Sequence, residues 1–135
     1  MRDQREHRIY ELIADHMATN YPGVVYRFDL AADLKLTLGQ AKKHRRIQRF
    51  RGYPDLFIAS PNWKTKDGKG THYCGLYIEI KKEGTRIFRR DGRLVADEHI
   101  REQFDMLQNL QQVGYKATFG IGLEECLKII DEYLA

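Results

Sequence analysis

Cysteine is nearly absent: Cys74 and Cys126 are the only 2 in 135 residues, and they lie far apart. Thiols so separated match no zinc or redox spacing, which excludes a disulfide-dense or zinc-stapled scaffold. Histidine offers no zinc site either. No histidine pair has zinc-ligand spacing, and His44, His72 and His99 read as surface or partner-facing side chains. No apolar run approaches the ~20 residues that a membrane span requires. The N-terminus, Met1-Arg2-Asp3-Gln4-Arg5-Glu6, is charged and lacks the apolar stretch of a signal peptide. These absences point to a reducing cytoplasm and away from a membrane partner. Repeats and low-complexity tracts are also missing. With 42% hydrophobic and 31% charged residues, the expectation is one globular domain over 1–135.

One stretch lacks charge of one sign. Residues 42–51, Lys-Lys-His-Arg-Arg-Ile-Gln-Arg-Phe-Arg, hold six basic residues and no acid. The chain's net charge is +4, so everything outside this block sums to −2. The positive excess is therefore one patch, the footprint of a polyanion partner such as DNA. A solvated helix face is the alternative reading. Lys42, Lys43, Arg45, Arg46, Arg49 and Arg51 are the candidate phosphate contacts.

Along the chain, residues 3–18 read as a helix. Ile9, Leu12, Ile13, His16 and Met17 form its apolar stripe, and Asp3 is its candidate N-cap. Pro22-Gly23 stops it, and residues 24–28 read as a strand. Residues 29–36 are ambiguous. Thr37-Leu38-Gly39-Gln40 has capping-box form and predicts a basic helix from 38 to about 50. Residues 55–59 form a second strand, 60–72 a polar hairpin loop, and 73–81 a third strand. Asp91-Gly92 then marks a small ribbon carrying Arg86, Arg89, Arg90 and Arg93, a second candidate phosphate contact. A helix over 98–113 follows, capped by Asp97, with Ile100, Phe104, Leu107, Leu110 and Val113 inward. Residues 115–121 form a fourth strand and 123–134 a closing helix. The first three strands can pair antiparallel, whereas the helix before the fourth suits a parallel connection. The fold class is α/β: a small mixed sheet flanked by helices.

The third strand has two faces. Leu76, Ile78 and Ile80 lie on one, Tyr77, Glu79 and Lys81 on the other. An acid and a base on so hydrophobic a strand are either a charged solvent face or part of a site. Asp55 heads the second strand. If the two strands are antiparallel neighbours, its carboxylate converges with Glu79 and Lys81. Paired carboxylates suit a hard divalent cation such as Mg2+ or Mn2+. A lysine beside them can orient a water or stabilise charge on a phosphate.

Asp55, twenty-three intervening residues and then Glu79-Ile80-Lys81 resemble the signature of the PD-(D/E)xK nuclease superfamily. The helix-strand-strand-strand-helix-strand order resembles its restriction-endonuclease-like αβββαβ core. More narrowly, the chain resembles stand-alone phage and bacterial members of the VRR-NUC branch. Gly52-Tyr53-Pro54-Asp55-Leu56-Phe57-Ile58-Ala59, Gly75 to Lys81, Gln103 with Leu107 and Leu110, Gly114-Tyr115 and the closing helix carry that likeness across residues 5–134. The resemblance implies a metal-dependent endonuclease. Asp55 and Glu79 match its metal ligands, Lys81 its catalytic lysine, and Gln103 its helix glutamine. Glu6 matches a first-helix glutamate that can assist the metal, with Glu11 as runner-up. Two departures stand out. Asp29-Leu30-Ala31-Ala32-Asp33 replaces a polar glycine-rich stretch, and Tyr10 replaces a first-helix glutamine. Stand-alone members resemble Holliday-junction resolvases, which implies a homodimer on branched DNA, because resolution needs two symmetry-related cuts. A nicking or restriction-like nuclease, or a DNA-binding subunit needing a partner protein, are the alternatives. The expected setting is a bacterial cytoplasm, encoded by phage or prophage.

Overall fold

The computed structural model describes residues 4–30, 36–63 and 72–135, with residues 4–6 described as backbone only. Eight elements follow in order: α1 (Gln4–Asn20), β1 (Tyr26–Phe28), α2 (Leu38–Ile47), β2 (Leu56–Ile58), β3 (Leu76–Lys81), α3 (Glu98–Gln112), β4 (Lys116–Ile121) and α4 (Leu123–Leu134). The strands make one sheet in the order β1-β2-β3-β4. β1, β2 and β3 pair antiparallel, and β3 pairs with β4 in parallel. This is the mixed sheet that the element order predicts. Among the described residues, no helix is long and apolar enough to cross a membrane.

The alternation of β3 sorts the helices onto two faces. Leu76, Ile78 and Ile80 join Leu56 and Ile58 in a core closed by Ile9, Tyr10, Ile13 and Met17 of α1 and by Cys126, Ile130 and Tyr133 of α4. Tyr77 faces the other way, into a smaller cluster with Leu107 of α3 and Ala117 of β4. The second face of β3 is therefore covered rather than solvated. Tyr77 is 7% exposed and Glu79 3%. Burial pushes the Cys126 thiol up to about 12, so it packs as an inert small hydrophobe.

Several boundaries differ from the sequence reading. The first strand starts at Tyr26, and Val25 is largely exposed just before it. The capping box at Thr37 and Gln40 forms as expected, but α2 ends at Ile47. No residue of α2 is buried, so nothing packs against a further turn. In α3 the buried face is Ile100, Gln103, Met106 and Leu107, while Val113 lies exposed near the C-terminal cap. The stripe is thus rotated, which draws Gln103 inward. The expected Asp3 cap, part of the ambiguous stretch (31–35) and part of the hairpin loop (64–71) lie outside the described residues.

α1 and α4 are clasped by a polar group at the edge of their shared core. Tyr21 Oη donates to Asp131 Oδ1 at 2.7 Å, and His16 Nε2 lies 2.8 Å from the same oxygen. Asn20 Nδ2 donates to His16 Nδ1, so Nε2 carries the proton that Asp131 accepts. Partial burial works to raise the Asp131 pKa, but the His16 and Tyr21 hydrogen bonds prevail and hold it below the ordinary 3.8. A carboxyl held low stabilises the fold above its unfolded pKa, and that contribution is lost as pH falls through its folded pKa. Asp131→Asn should therefore lower Tm at neutral pH by about 4 °C, corresponding to roughly 1 kcal/mol. The gap to the wild type should narrow once pH drops below 3.8. Thermal melts between pH 7 and pH 3 check this, and a gap independent of pH refutes it.

Candidate active site

Asp55 sits one residue before β2. Extending the register Leu56↔Ile78 by one step sets Asp55 opposite Glu79. Directly opposed residues of an antiparallel pair have Cβ atoms ~4.5–5.5 Å apart. Alternation turns both carboxylates to the α3 side of the sheet, and both are buried, at 2% and 3% exposure. Each is held by a donor. Asp55 Oδ2 accepts the backbone N–H of Ile80 at 2.8 Å, beyond the end of β2. Gln103 Nε2 donates to Glu79 Oε1 at 3.1 Å. An ionised carboxylate only accepts, so this contact fixes the orientation of the Gln103 amide. Its Oε1 is then left buried with no hydrogen-bond partner among the described residues.

A close backbone approach makes this possible. Gly52 has φ +74°, and a Cβ there would lie 2.8 Å from the carbonyl carbon and oxygen of Glu102. Glycine alone lets the segment leading to Asp55 press against the helical turn that carries Gln103. On the same side, Tyr53 Oη donates to Tyr77 Oη at 3.0 Å, and Phe57 stacks on Tyr77. Burial and that hydrogen bond raise the Tyr77 pKa, so the hydroxyl stays protonated. Of these rings, Tyr53 reaches the site itself.

Over the carboxylates lies a cleft of about 370 Å3. Asp55, Glu79 and Gln103 form part of its lining, with His44 and Arg45 from α2 and Gln48 from the cap just after it. Arg51, Tyr53, His99, Glu102 and Asp29 complete much of the rest. A larger hollow of about 960 Å3 lies at the N-terminal end of α4, but its rim of Glu83, Glu124, Glu125 and Glu132 would repel a polyanion.

The structure brings together Asp55, Glu79 and Gln103 from the sequence-derived set. Lys81 is half-buried at the end of β3, two residues beyond Glu79, and does not line the cleft. Glu6 lies in the first turn of α1, and its side chain is outside the described residues. Glu11 is exposed and ion-paired with Arg8 at 3.0 Å. The basic residues Lys42, Lys43, Arg45, Arg46, Arg49 and Arg51 are all exposed on or just after α2. Arg51 approaches Glu102 at 3.9 Å, and Arg89 pairs with Asp91 at 3.5 Å.

Two cleft residues escaped the sequence reading. Asp29 donates its N–H to the Asp55 carbonyl at 2.7 Å, so the β1–β2 pairing runs on past Phe28. Treating 29–36 as ambiguous hid that continuation. His44, which reads from sequence as a surface or DNA-facing side chain, has its Nε2 buried without a hydrogen-bond partner among the described residues.

Two buried carboxylates facing one another repel, and each costs several kcal/mol to desolvate unless compensated. A cation is the natural counter-charge. The donors are all oxygen, which suits Mg2+ or Mn2+ over zinc. The buried, unsatisfied Gln103 Oε1 in the same cleft fits a further acceptor for a metal-bound water. Among the described residues, no group of three or more His, Cys, Asp or Glu side chains could hold a metal. Among the described residues, an ion here would have two carboxylates to rest on, with water for the remainder, the sparse ligation common for Mg2+.

No family model matches the sequence, and no curated protein matches it. Among solved structures, a "VRR_NUC domain protein" matches 99% of this chain and 91% of its own length, with a TM-score of 0.61 and 22% identity. The chain thus has the fold of that protein, the restriction-endonuclease-like arrangement its element order resembles.

Gly52→Ala should destabilise the protein by about 2 kcal/mol, because the new Cβ meets backbone and the positive φ is strained. Gly23→Ala is the control, since a Cβ there meets nothing within 4 Å. Thermal melts of the two variants check the comparison, and equal Tm values contradict it.

Proposed function

We propose that this chain is a metal-dependent endonuclease that hydrolyses phosphodiester bonds in DNA. The observation that carries the reading is the register-opposed, buried pair Asp55 and Glu79 in a cleft edged by Arg45 and Arg51. Buried acids beneath a basic rim suit a phosphate bridged to the acids by a cation. The fold shared with a VRR_NUC domain protein supports the same reading.

Asp55 and Glu79 would hold Mg2+ or Mn2+. Such an ion, when bound, polarises a phosphoryl oxygen and makes hydroxide available near neutral pH. The chain's own residues supply positioning. The Ile80 N–H fixes Asp55, and the Gln103 amide fixes Glu79, so neither carboxylate need reorganise when substrate arrives. Lys81 orients the attacking water or steadies charge on the phosphate. It does so from the open end of β3, on a flexible four-carbon stem. Arg45, Arg51 and the other basic residues of 42–51 guide the DNA backbone, with Arg86, Arg89 and Arg90 as a second contact. These contacts read phosphates rather than sequence, which suits branched DNA cut by a homodimer. The position of Lys81 outside the cleft favours a second reading: a nuclease subunit whose site is completed only when DNA or a partner protein closes it.

The test is a panel of four-way junctions, flaps, nicked duplexes and linear duplexes with Mg2+ or Mn2+. Wild type should cut branched DNA in preference to linear duplex. Glu79→Gln and Lys81→Ala should each lose roughly 100-fold or more in rate while still binding DNA in Ca2+. Wild type that leaves every substrate intact with either metal sinks the enzyme reading. Sedimentation showing a monomer both free and on DNA removes the dimer.

A further inference from the structure

The residues between β3 and α3 form a small hairpin that the cleft does not use. Val95 donates its N–H to the Ile87 carbonyl at 3.0 Å, Arg89 donates to Arg93 at 2.7 Å, and Phe88 pairs with Leu94. Ile87 is buried and anchors the hairpin. Phe88 is its opposite: half of this large ring is exposed, at 50%. It stands edge-on to Phe104 of α3, with centroids 6.1 Å apart. Between them and Phe119 of β4 runs a groove of about 560 Å3, floored by Leu107 and rimmed by the amides of Gln108 and Gln111.

The sequence around the ring is Arg86-Ile87-Phe88-Arg89-Arg90, with arginine two residues to either side of Phe88. Arg89 is engaged by Asp91. Arg86 and Arg90 are exposed and, among the described residues, have no ion-pair partner. An exposed aromatic ring flanked by unneutralised guanidinium groups is the arrangement that stacks a base and holds its phosphates. A duplex would offer phosphates but no free base face. Glu125 also lines the groove, and its charge would repel a phosphate, which favours holding phosphates at the arginines of the hairpin. The groove also lies close to the carboxylates in the fold. Gln103 touches Glu79 and the next residue, Phe104, lines the groove.

We propose that this hairpin groove binds an unpaired nucleobase, stacked on Phe88, with Arg86 and Arg90 on the adjoining phosphates. The inference rests on the DNA reading given above and deepens it. It supplies a reason for preferring branched DNA, whose branch points interrupt regular stacking and whose flaps carry unpaired bases, whereas linear duplex keeps every base paired and stacked.

The test does not require cleavage. With Ca2+ in place of Mg2+, wild-type protein is titrated into a single-stranded oligonucleotide and a four-way junction, each with one 2-aminopurine, and into a linear duplex. Stacking should quench the single-strand and branch-point fluorescence. Phe88→Ala should relieve the quenching and weaken single-strand affinity roughly tenfold, leaving duplex affinity unchanged. Phe88→Trp should restore both. Replacing Arg86 and Arg90 with Ala together should flatten the salt dependence of single-strand binding by about 1.4 in log–log slope, ~0.7 for each lost phosphate contact. Single-strand affinity and quenching indifferent to Phe88→Ala overturn the site. So does a change of oligomeric state on that substitution with DNA binding untouched, which would make the groove a contact between copies of the chain. A wild type inert in Mg2+ that still quenches 2-aminopurine counts against the nuclease reading alone.

Discussion

Everything near the site depends on one pairing: the antiparallel register that sets Asp55 opposite Glu79 across β2 and β3. A shift of β2 by one residue would turn Asp55 to the other face, among Ile9, Ile13 and Ile130, and part it from Glu79. That register is locked by the aliphatic set. Leu56, Ile58, Leu76, Ile78 and Ile80 are each 0–1% exposed beneath α1 and α4. The core does not merely support the acids from a distance. Its packing excludes the only nearby alternative in which they would face elsewhere.

Opposed acids are costly to bury, and two neutral donors answer part of that cost. Asp55 takes a backbone N–H and Glu79 takes an amide. A lysine or arginine in those places would neutralise the pair and leave nothing for a cation to do. Neutral donors orient the oxygens while keeping the negative charge. The arginines stand further out, at the cleft edge, where they favour a polyanion without cancelling the acids. This separation of charge by depth is what makes the proposed metal and phosphate compatible in one cleft.

The sequence carried the fold well because its periodicities were unmixed. The alternation of 76–81, the capping box at Thr37 and the Asp97 cap each specified one local answer, and each formed. Asp55 and Glu79 were legible because strand pairing converts a long sequence separation into a cross-strand neighbour. Gln103 was placed off the apolar stripe, since glutamine scores as polar wherever it stands. Its burial comes from an acceptor on another element, which no local pattern encodes. His44 was hidden for a related reason. Inside a block of lysines and arginines it reads as one more surface residue, and only the position of α2 over the cleft gives it a buried nitrogen. Lys81 stands two residues beyond Glu79 at the end of β3, where the strand reading places it. Its strand position was read well, but a strand residue's face does not say whether a long side chain enters a neighbouring hollow.

The least anchored elements are the ones that carry the positive charge. α2 buries no residue, and the arginine hairpin is secured mainly by Ile87. Leu38, Ile47 and Phe50 are exposed on and after α2, although side chains of this kind ordinarily fix a helix by burial. In the free chain, then, α2 relies on its capping box and on its placement over the cleft. The carboxylates, by contrast, sit on strands sealed from both sides. On the proposed reading, well-packed acids under sparsely packed basic elements would divide the work in a physically sensible way. Positioning of a cation tolerates little error, whereas contact with a phosphate backbone of variable path benefits from side chains and helices that can follow it. The same division bears on affinity. Phosphate contacts from this exposed face would release counterions, so the proposed binding is expected to weaken steeply with salt even though the carboxylate geometry does not change.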